Sequence, residues 1–171
     1  LVGSEMCIRD SNGSEVSYSH DNDVLLIETG TFEYSSRDII NVVYSGMPIT
    51  GLIIGPNMHG DRTFFSDNWP NKARNWLPLV DHPYDKSTAE FIVIAPNHYQ
   101  VISNGLLVEE TNLNKELKKT HWKQSIPISC WLYALGVAEF AVDYVDYFED
   151  KSIQTWVYLS LIHISEPTRQ A

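Results

Sequence analysis

Basic residues are scarce in this chain: 12 Lys and Arg stand against 22 Asp and Glu, for a net charge of -10. That balance excludes nucleic acid as an expected partner, because a phosphate backbone is bound by a positive surface. Cysteine is scarcer still, with 2 in 171 residues. Two thiols exclude a disulfide framework and a Cys-rich structural zinc site. Long apolar runs are missing too. The longest uncharged one, Cys130 to Ala138, falls far short of the ~20 residues that cross a bilayer, so no transmembrane segment is expected. There is no Gly-rich phosphate loop, no Gly-x-Ser-x-Gly elbow and no His-Glu-x-x-His pair. What is there is ordinary globular composition, 43% hydrophobic and 20% charged, in a length that suits one domain or part of a larger one.

The two ends carry a separate signal. Leu1–Ser11 can be written as codons whose reverse complement encodes Leu159–Arg169. The nucleotide string resembles a transposase-type sequencing adapter read in both directions. Residues 1–11 and 159–171 are therefore expected to be adapter-derived translation, to be set aside from fold reasoning as an expression scar is. Residues 12–158 are expected to be a domain cut from a longer gene at both sides. The sequence assigns it no compartment.

Between those ends the pattern is mostly β. Asn12 to Asp23 is polar and is expected to fray. Val24–Ile27, Arg37–Tyr44 and Gly51–Ile54 read as strands, the last two closed by Ser45-Gly46 and Gly55-Pro56. Pro70 suits the first turn of a helix, with Asn68 or Trp69 as cap, so Asn71–Trp76 is predicted to hold one or two helical turns that Pro78 stops. Glu90–Ala95 and Tyr99–Ser103 follow as strands, the second ending at Asn104-Gly105, a hairpin-type dipeptide. Leu106–Glu110 and Leu117–Gln124 read as a hairpin about Asn112–Asn114. Trp131–Val142 is predicted to be a strand with a bulge at Gly136. Ile153–Tyr158 is a last strand. Short strands at regular spacing make an all-β class, a β-sandwich or saddle-like sheet.

The residues alone offer no catalytic constellation. His20, His59, His82, His98 and His121 are too far apart in sequence to share a metal on one element. Cys130 has no nearby base in the sequence, and a buried structural thiol is its default reading. Asp143, Asp146, Glu149 and Asp150 lack the alternate spacing and central Gly of a calcium loop. They read as a solvated hairpin tip.

Four stretches, in order, resemble the N-terminal domain of M1-family zinc metallopeptidases, the aminopeptidase N and leukotriene A4 hydrolase family. They are Tyr44-Ser45-Gly46-x-Pro48-x-x-Gly51-Leu52; Phe65-Ser66-Asp67-Asn68-Trp69-Pro70-x-x-Ala73-Arg74-x-Trp76-x-Pro78-x-x-Asp81-x-Pro83; Ser103-Asn104-Gly105; and Trp122 followed by Pro127-x-x-x-x-Leu132-x-Ala134-Leu135-x-Val137-x-x-Phe140. The resemblance covers Asn41 to Val142.

It implies a saddle-like β-sandwich with one short helix near 70–76, packed on a thermolysin-like catalytic domain that this sequence lacks. In the family that domain holds zinc through His-Glu-x-x-His and a distant Glu, and binds the substrate backbone with Gly-x-Met-Glu-Asn. Neither motif occurs here, so the resemblance implies zinc in the parent protein, no cofactor in this piece, and no activity of the piece alone. The N-terminal domain lends S1-pocket residues to a peptide substrate. The matching positions are Asp67 and Trp69. Asp67 keeps an acceptor and adds charge. Trp69 replaces the usual Gln or Glu with a large apolar face, which points to an apolar or aromatic first residue. Their rival roles are helix capping for Asp67 and a core anchor beneath the helix for Trp69. Arg74 and Asp81 are expected to form a structural ion pair. Cys130, Trp131 and Tyr133 are assigned to packing in a core strand. The other class of function open to the residues is a non-catalytic β-sandwich that binds a ligand or serves as a scaffold, with its Trp and Tyr side chains as the surface.

Overall fold

The computed structural model of the chain describes residues 6–9, 13–22, 24–29, 39–159 and 161. Thirteen strands run in chain order: β1 Met6–Arg9, β2 Tyr18–Asp21, β3 Val24–Ile27, β4 Asn41–Tyr44, β5 Leu52–Pro56, β6 Arg62–Ser66, β7 Lys86–Pro96, β8 Gln100–Ser103, β9 Leu106–Asn112, β10 Leu117–Ser129, β11 Leu135–Ala138, β12 Phe140–Phe148 and β13 Lys151–Tyr158. The all-β expectation holds. Among the described residues the helical pieces with a full turn are two three-residue 3₁₀ turns, Ala73–Asn75 and Cys130–Leu132.

Two antiparallel sheets make the sandwich. One has the order β5-β6-β11-β8 and the other β7-β10-β9. The long β10 is central in its sheet, paired with β7 on one edge and β9 on the other, and its alternate residues meet two environments. Lys118, Thr120 and Trp122 are buried on its inner side, while Lys119, His121 and Lys123 reach outward. The inner faces meet in a cluster of Val101 from β8, Val137 from β11 and Trp122 from β10, backed by Phe64, Val93 and Tyr99. Trp122 satisfies its indole N–H on the Val101 carbonyl at 2.9 Å, as a buried indole must. A second cluster, Ala73, Cys130 and Tyr133 with Leu77 and Phe91 against it, sits under the 3₁₀ turns. Three further ribbons complete the chain: β1-β4, β2-β3 and the hairpin β12-β13.

Several sequence expectations need correction. Part of the segment expected to fray, Asn12 to Asp23, is a strand, β2, which pairs with β3 from Tyr18↔Ile27 to Asp21↔Val24. Of the strand predicted at Arg37–Tyr44, residues 37 and 38 lie outside the described residues, and pairing begins at Asn41. Asn104-Gly105 does not join a hairpin: β8 and β9 belong to different sheets, and the dipeptide carries the chain between them. Trp131–Val142 is not one strand. Ser129 accepts a hydrogen bond from Trp131 N–H and so caps a 3₁₀ turn, and the strands start only at Leu135 and again at Phe140. Cys130 and Trp131 therefore pack from a turn rather than a strand. The tip of β12-β13 does fall at Glu149 and Asp150, both with positive φ. Asp143 and Asp146 lie within β12.

β1 lies inside the segment 1–11 set aside above. It pairs with β4 over Met6↔Tyr44 to Arg9↔Asn41, and Ile8 is buried there.

Candidate functional site

The four motif stretches meet in space, and they meet around the loop that follows β6. Gly51 starts the arrangement. Its φ of +85° belongs to glycine, and a Cβ there would fall on the Lys72 carbonyl oxygen. That lets the chain entering β5 pass close under the loop, where Gly51 accepts a hydrogen bond from Asp67 N–H at 2.7 Å. Tyr44, from the first stretch, donates its hydroxyl to the Trp76 carbonyl at 2.7 Å. Burial pushes the Tyr44 phenol pKa up and keeps it a donor.

Asn68 is the anchor of the loop. It is 3% exposed. Its Nδ2 donates to the carbonyls of Tyr133 at 2.6 Å and Cys130 at 3.3 Å, and its Oδ1 accepts from Trp76 Nε1 at 2.9 Å. One amide thus ties the second stretch to the fourth. Beside it, Ser66 Oγ donates to the Tyr133 carbonyl and accepts from Leu135 N–H. The third and fourth stretches join in the same way: Ser103 donates to the Ala134 carbonyl, and Asn104 Oδ1 accepts from Ala134 N–H. Gly105 has φ +86°, and a Cβ there would strike the Lys123 carbonyl.

Asn68 faces the core between two residues that reach solvent. Asp67 has a half-exposed side chain whose Oδ2 lies 2.6 Å from Lys72 Nζ. Trp69 is 64% exposed, so the role of core anchor does not apply to it. Helix capping does not apply to Asp67. The 3₁₀ turn is short, begins after Lys72, and has no side-chain cap. The Asn68 side chain, the other capping candidate, is engaged by the core. Pro70 follows a cis Trp69-Pro70 bond and lies before the turn, not in it. The buried aromatic of this segment is Trp76, stacked on Phe91.

Arg74 and Asp81 form the expected ion pair. Asp81 Oδ2 accepts from both the backbone N–H and Nε of Arg74, each at 3.2 Å. The Asp81 carboxylate is buried, which suits a bracket on the loop rather than chemistry. Its other oxygen lies 3.5 Å from Cys130 Sγ. Burial, then the Asp81 carboxylate, push the Cys130 thiol pKa up. That is the reverse of what a nucleophilic cysteine needs.

The donor groups do not converge on a metal position. Among the described residues no three His, Cys, Asp or Glu side chains come together. His121 is held by Glu90 at 2.9 Å, His98 lies 4.0 Å from Glu139, and His82 stacks on Tyr84. The described side chains do not fit a zinc ion.

Sequence reasoning passed over two residues of this loop. Asn68 reads in the sequence only as a cap; its amide, with one acceptor and two donors, can equally bridge buried groups, and that needs the distant partners to be known. Lys72 gave no signal, because a five-residue separation from Asp67 matches no regular pairing.

The fold and the loop locked between its motif stretches define the class as a two-sheet β-sandwich domain. Residues 7–132 match the Peptidase M1 N-terminal domain, and the chain belongs to that family. It is 32% identical over 75 residues to glutamyl aminopeptidase of Rattus norvegicus, covering 44% of this chain and 8% of that protein. It is 30% identical over 93 residues to aminopeptidase A of Gloydius brevicauda, covering 54% of this chain and 10% of the relative. The chain thus spans about a tenth of the curated relatives it matches. The fold is shared with the M1 zinc metallopeptidase of Deinococcus radiodurans, with a TM-score of 0.70 at 20% identity over 90% of this chain and 37% of that one. A substituted form of that enzyme bound to a Tyr-Ser-Ala substrate superposes with a TM-score of 0.73 at 22% identity.

Proposed function

We propose that this domain forms one wall of the substrate cleft of an M1-type zinc aminopeptidase, with Asp67 and Trp69 lining the pocket for the first residue of a peptide. The catalytic domain, the zinc it carries and the hydrolysis itself lie outside these 171 residues. Residues 1–11 and 159–171 are adapter-derived in this reading.

The observation that carries it is the pinned loop. The Asn68 amide, held by the Tyr133 carbonyl and the Trp76 indole, and the Gly51 carbonyl, which accepts from Asp67 N–H, fix the backbone, while Asp67 and Trp69 are left facing solvent. A protein gains nothing in stability from a solvent-exposed indole on a rigid loop. A binding site gains a preorganised contact. The Asp67 carboxylate has two oxygens, and Lys72 engages one of them, which leaves the other to accept from a neutral donor such as a peptide N–H. The Trp69 indole offers a flat apolar face to the first side chain.

The test is the uninterrupted gene. It is expected to encode His-Glu-x-x-His within a couple of hundred codons after Tyr158, and its product to release N-terminal residues from peptides. A gene with no such helix, or a product that leaves peptides intact, refutes the reading.

A further inference from the structure

We propose that Lys72 is a specificity-determining residue of this pocket: by holding the carboxylate of Asp67, it bars N-terminal residues with cationic side chains. The inference rests on the functional reading above. The ammonium of Lys72 lies 2.6 Å from Asp67 Oδ2, with the two side chains 32% and 46% exposed. The segment that carries Lys72 is fixed. Its N–H donates to the Asn68 carbonyl, and its own carbonyl accepts from both the N–H and the Nδ2 of Asn75. Packing beneath it is as close as the glycine at 51 allows. The ammonium is therefore delivered to Asp67 by a rigid backbone.

The other acidic residue of this stretch, Asp81, is buried and engaged by Arg74. Asp67 is then the negative charge that the loop presents, and Lys72 neutralises it. A guanidinium or ammonium on the first side chain would meet like charge a few ångströms away and would have to displace Lys72. A neutral apolar or aromatic side chain meets no such cost and has the exposed Trp69 face beside it. An ion pair this exposed adds little to stability, so its consequence lies in the charge it shows to a ligand.

The experiment uses the full-length protein with its catalytic domain, and arylamide substrates headed by Arg, Phe or Glu. Lys72→Met keeps the side-chain stem and removes the charge; Lys72→Gln is the second variant. Both are expected to raise the Arg-to-Phe ratio of kcat/KM about tenfold. Adding Asp67→Asn to Lys72→Met is expected to return the ratio to the parent level. An unchanged ratio in both variants, or a rise that survives Asp67→Asn, overturns the assignment. Trp69→Ala separates this failure from that of the underlying reading. If Trp69→Ala lowers kcat/KM for Phe while the Lys72 variants change nothing, Lys72 alone is wrongly assigned. If Trp69→Ala leaves every substrate unchanged, the loop does not line the pocket and both claims fall.

Discussion

Replacing Asn68 by alanine removes three hydrogen bonds from a site that water does not reach. The side chain is 3% exposed, and its partners are the carbonyls of Tyr133 and Cys130 and the indole N–H of Trp76. The Cys130 carbonyl keeps a second donor, Tyr133 N–H at 3.2 Å, and the Tyr133 carbonyl keeps Ser66 Oγ at 3.1 Å. Trp76 Nε1 is left with no partner. A net hydrogen bond contributes about 1 kcal/mol, and a buried donor stranded without an acceptor costs about 1–3 kcal/mol. The sum is a loss of about 3 kcal/mol, or about 10 °C in Tm for a chain of this size. Urea and thermal unfolding followed by tryptophan fluorescence measure it. Asn68→Asp is expected to do worse than Asn68→Ala, because it sets an acceptor against the Tyr133 carbonyl where a donor stood. A loss below about 0.5 kcal/mol for Asn68→Ala, within the range of an ordinary surface change, would refute the claim that this amide anchors the loop.

Gly51→Ala is expected to destabilise by about 2 kcal/mol or more, since it combines a positive φ with a Cβ driven onto the Lys72 carbonyl; Gly13→Ala, at φ +80° but in open space, is the milder control in the same melts. The outer face of β10 is expected to show a pH effect. The hydrogen bond from Lys123, and then that from His121, hold the Glu90 carboxyl below its ordinary range, and Lys119 does the same for Glu109. A carboxyl with a depressed folded pKa contributes stability above its unfolded pKa of about 4.3, and that stability is lost as pH falls through the lower folded value. Urea midpoints are expected to drop between pH 5 and pH 3, and Lys123→Met with Lys119→Met to flatten the drop. An undiminished drop in the double variant would count against these pairs as its source.

Much of the fold was legible because alternation and turn residues are local signals. The strand at Glu90–Ala95 can be read from its apolar, β-branched run, but with Ile92 and Ile94 as apolar as Phe91 and Val93 the inward face is settled only by the fold. What was hidden depends on distant partners. Asn104-Gly105 has the chemistry of a hairpin turn, yet Asn104 Oδ1 bonds Ala134 N–H thirty residues on, and the chain changes sheets. Cys130–Leu132 has strand-like composition, yet the carbonyls of Cys130 and Tyr133 are taken by Asn68 from across the core, so they are not free for a ladder. The short helix near 70–76 shrank to three residues because the side chain that would cap it is used elsewhere. For the candidate site, the positions Asp67 and Trp69 came from resemblance alone. Their exposure, the inward turn of Asn68 and the Lys72 ammonium arise only once the loop is folded over Gly51.

The most direct measurement of the central claim is the ratio of kcat/KM for Phe-headed over Ala-headed arylamides, in the full-length protein and in its Trp69→Ala variant. If this loop forms the wall of the first-residue pocket, removal of the indole lowers that ratio by about tenfold or more, the scale of one aromatic contact, while Tm stays within about 2 °C because Trp69 is exposed. A ratio that does not change, in a protein that still folds and still cleaves, would place the loop away from the substrate.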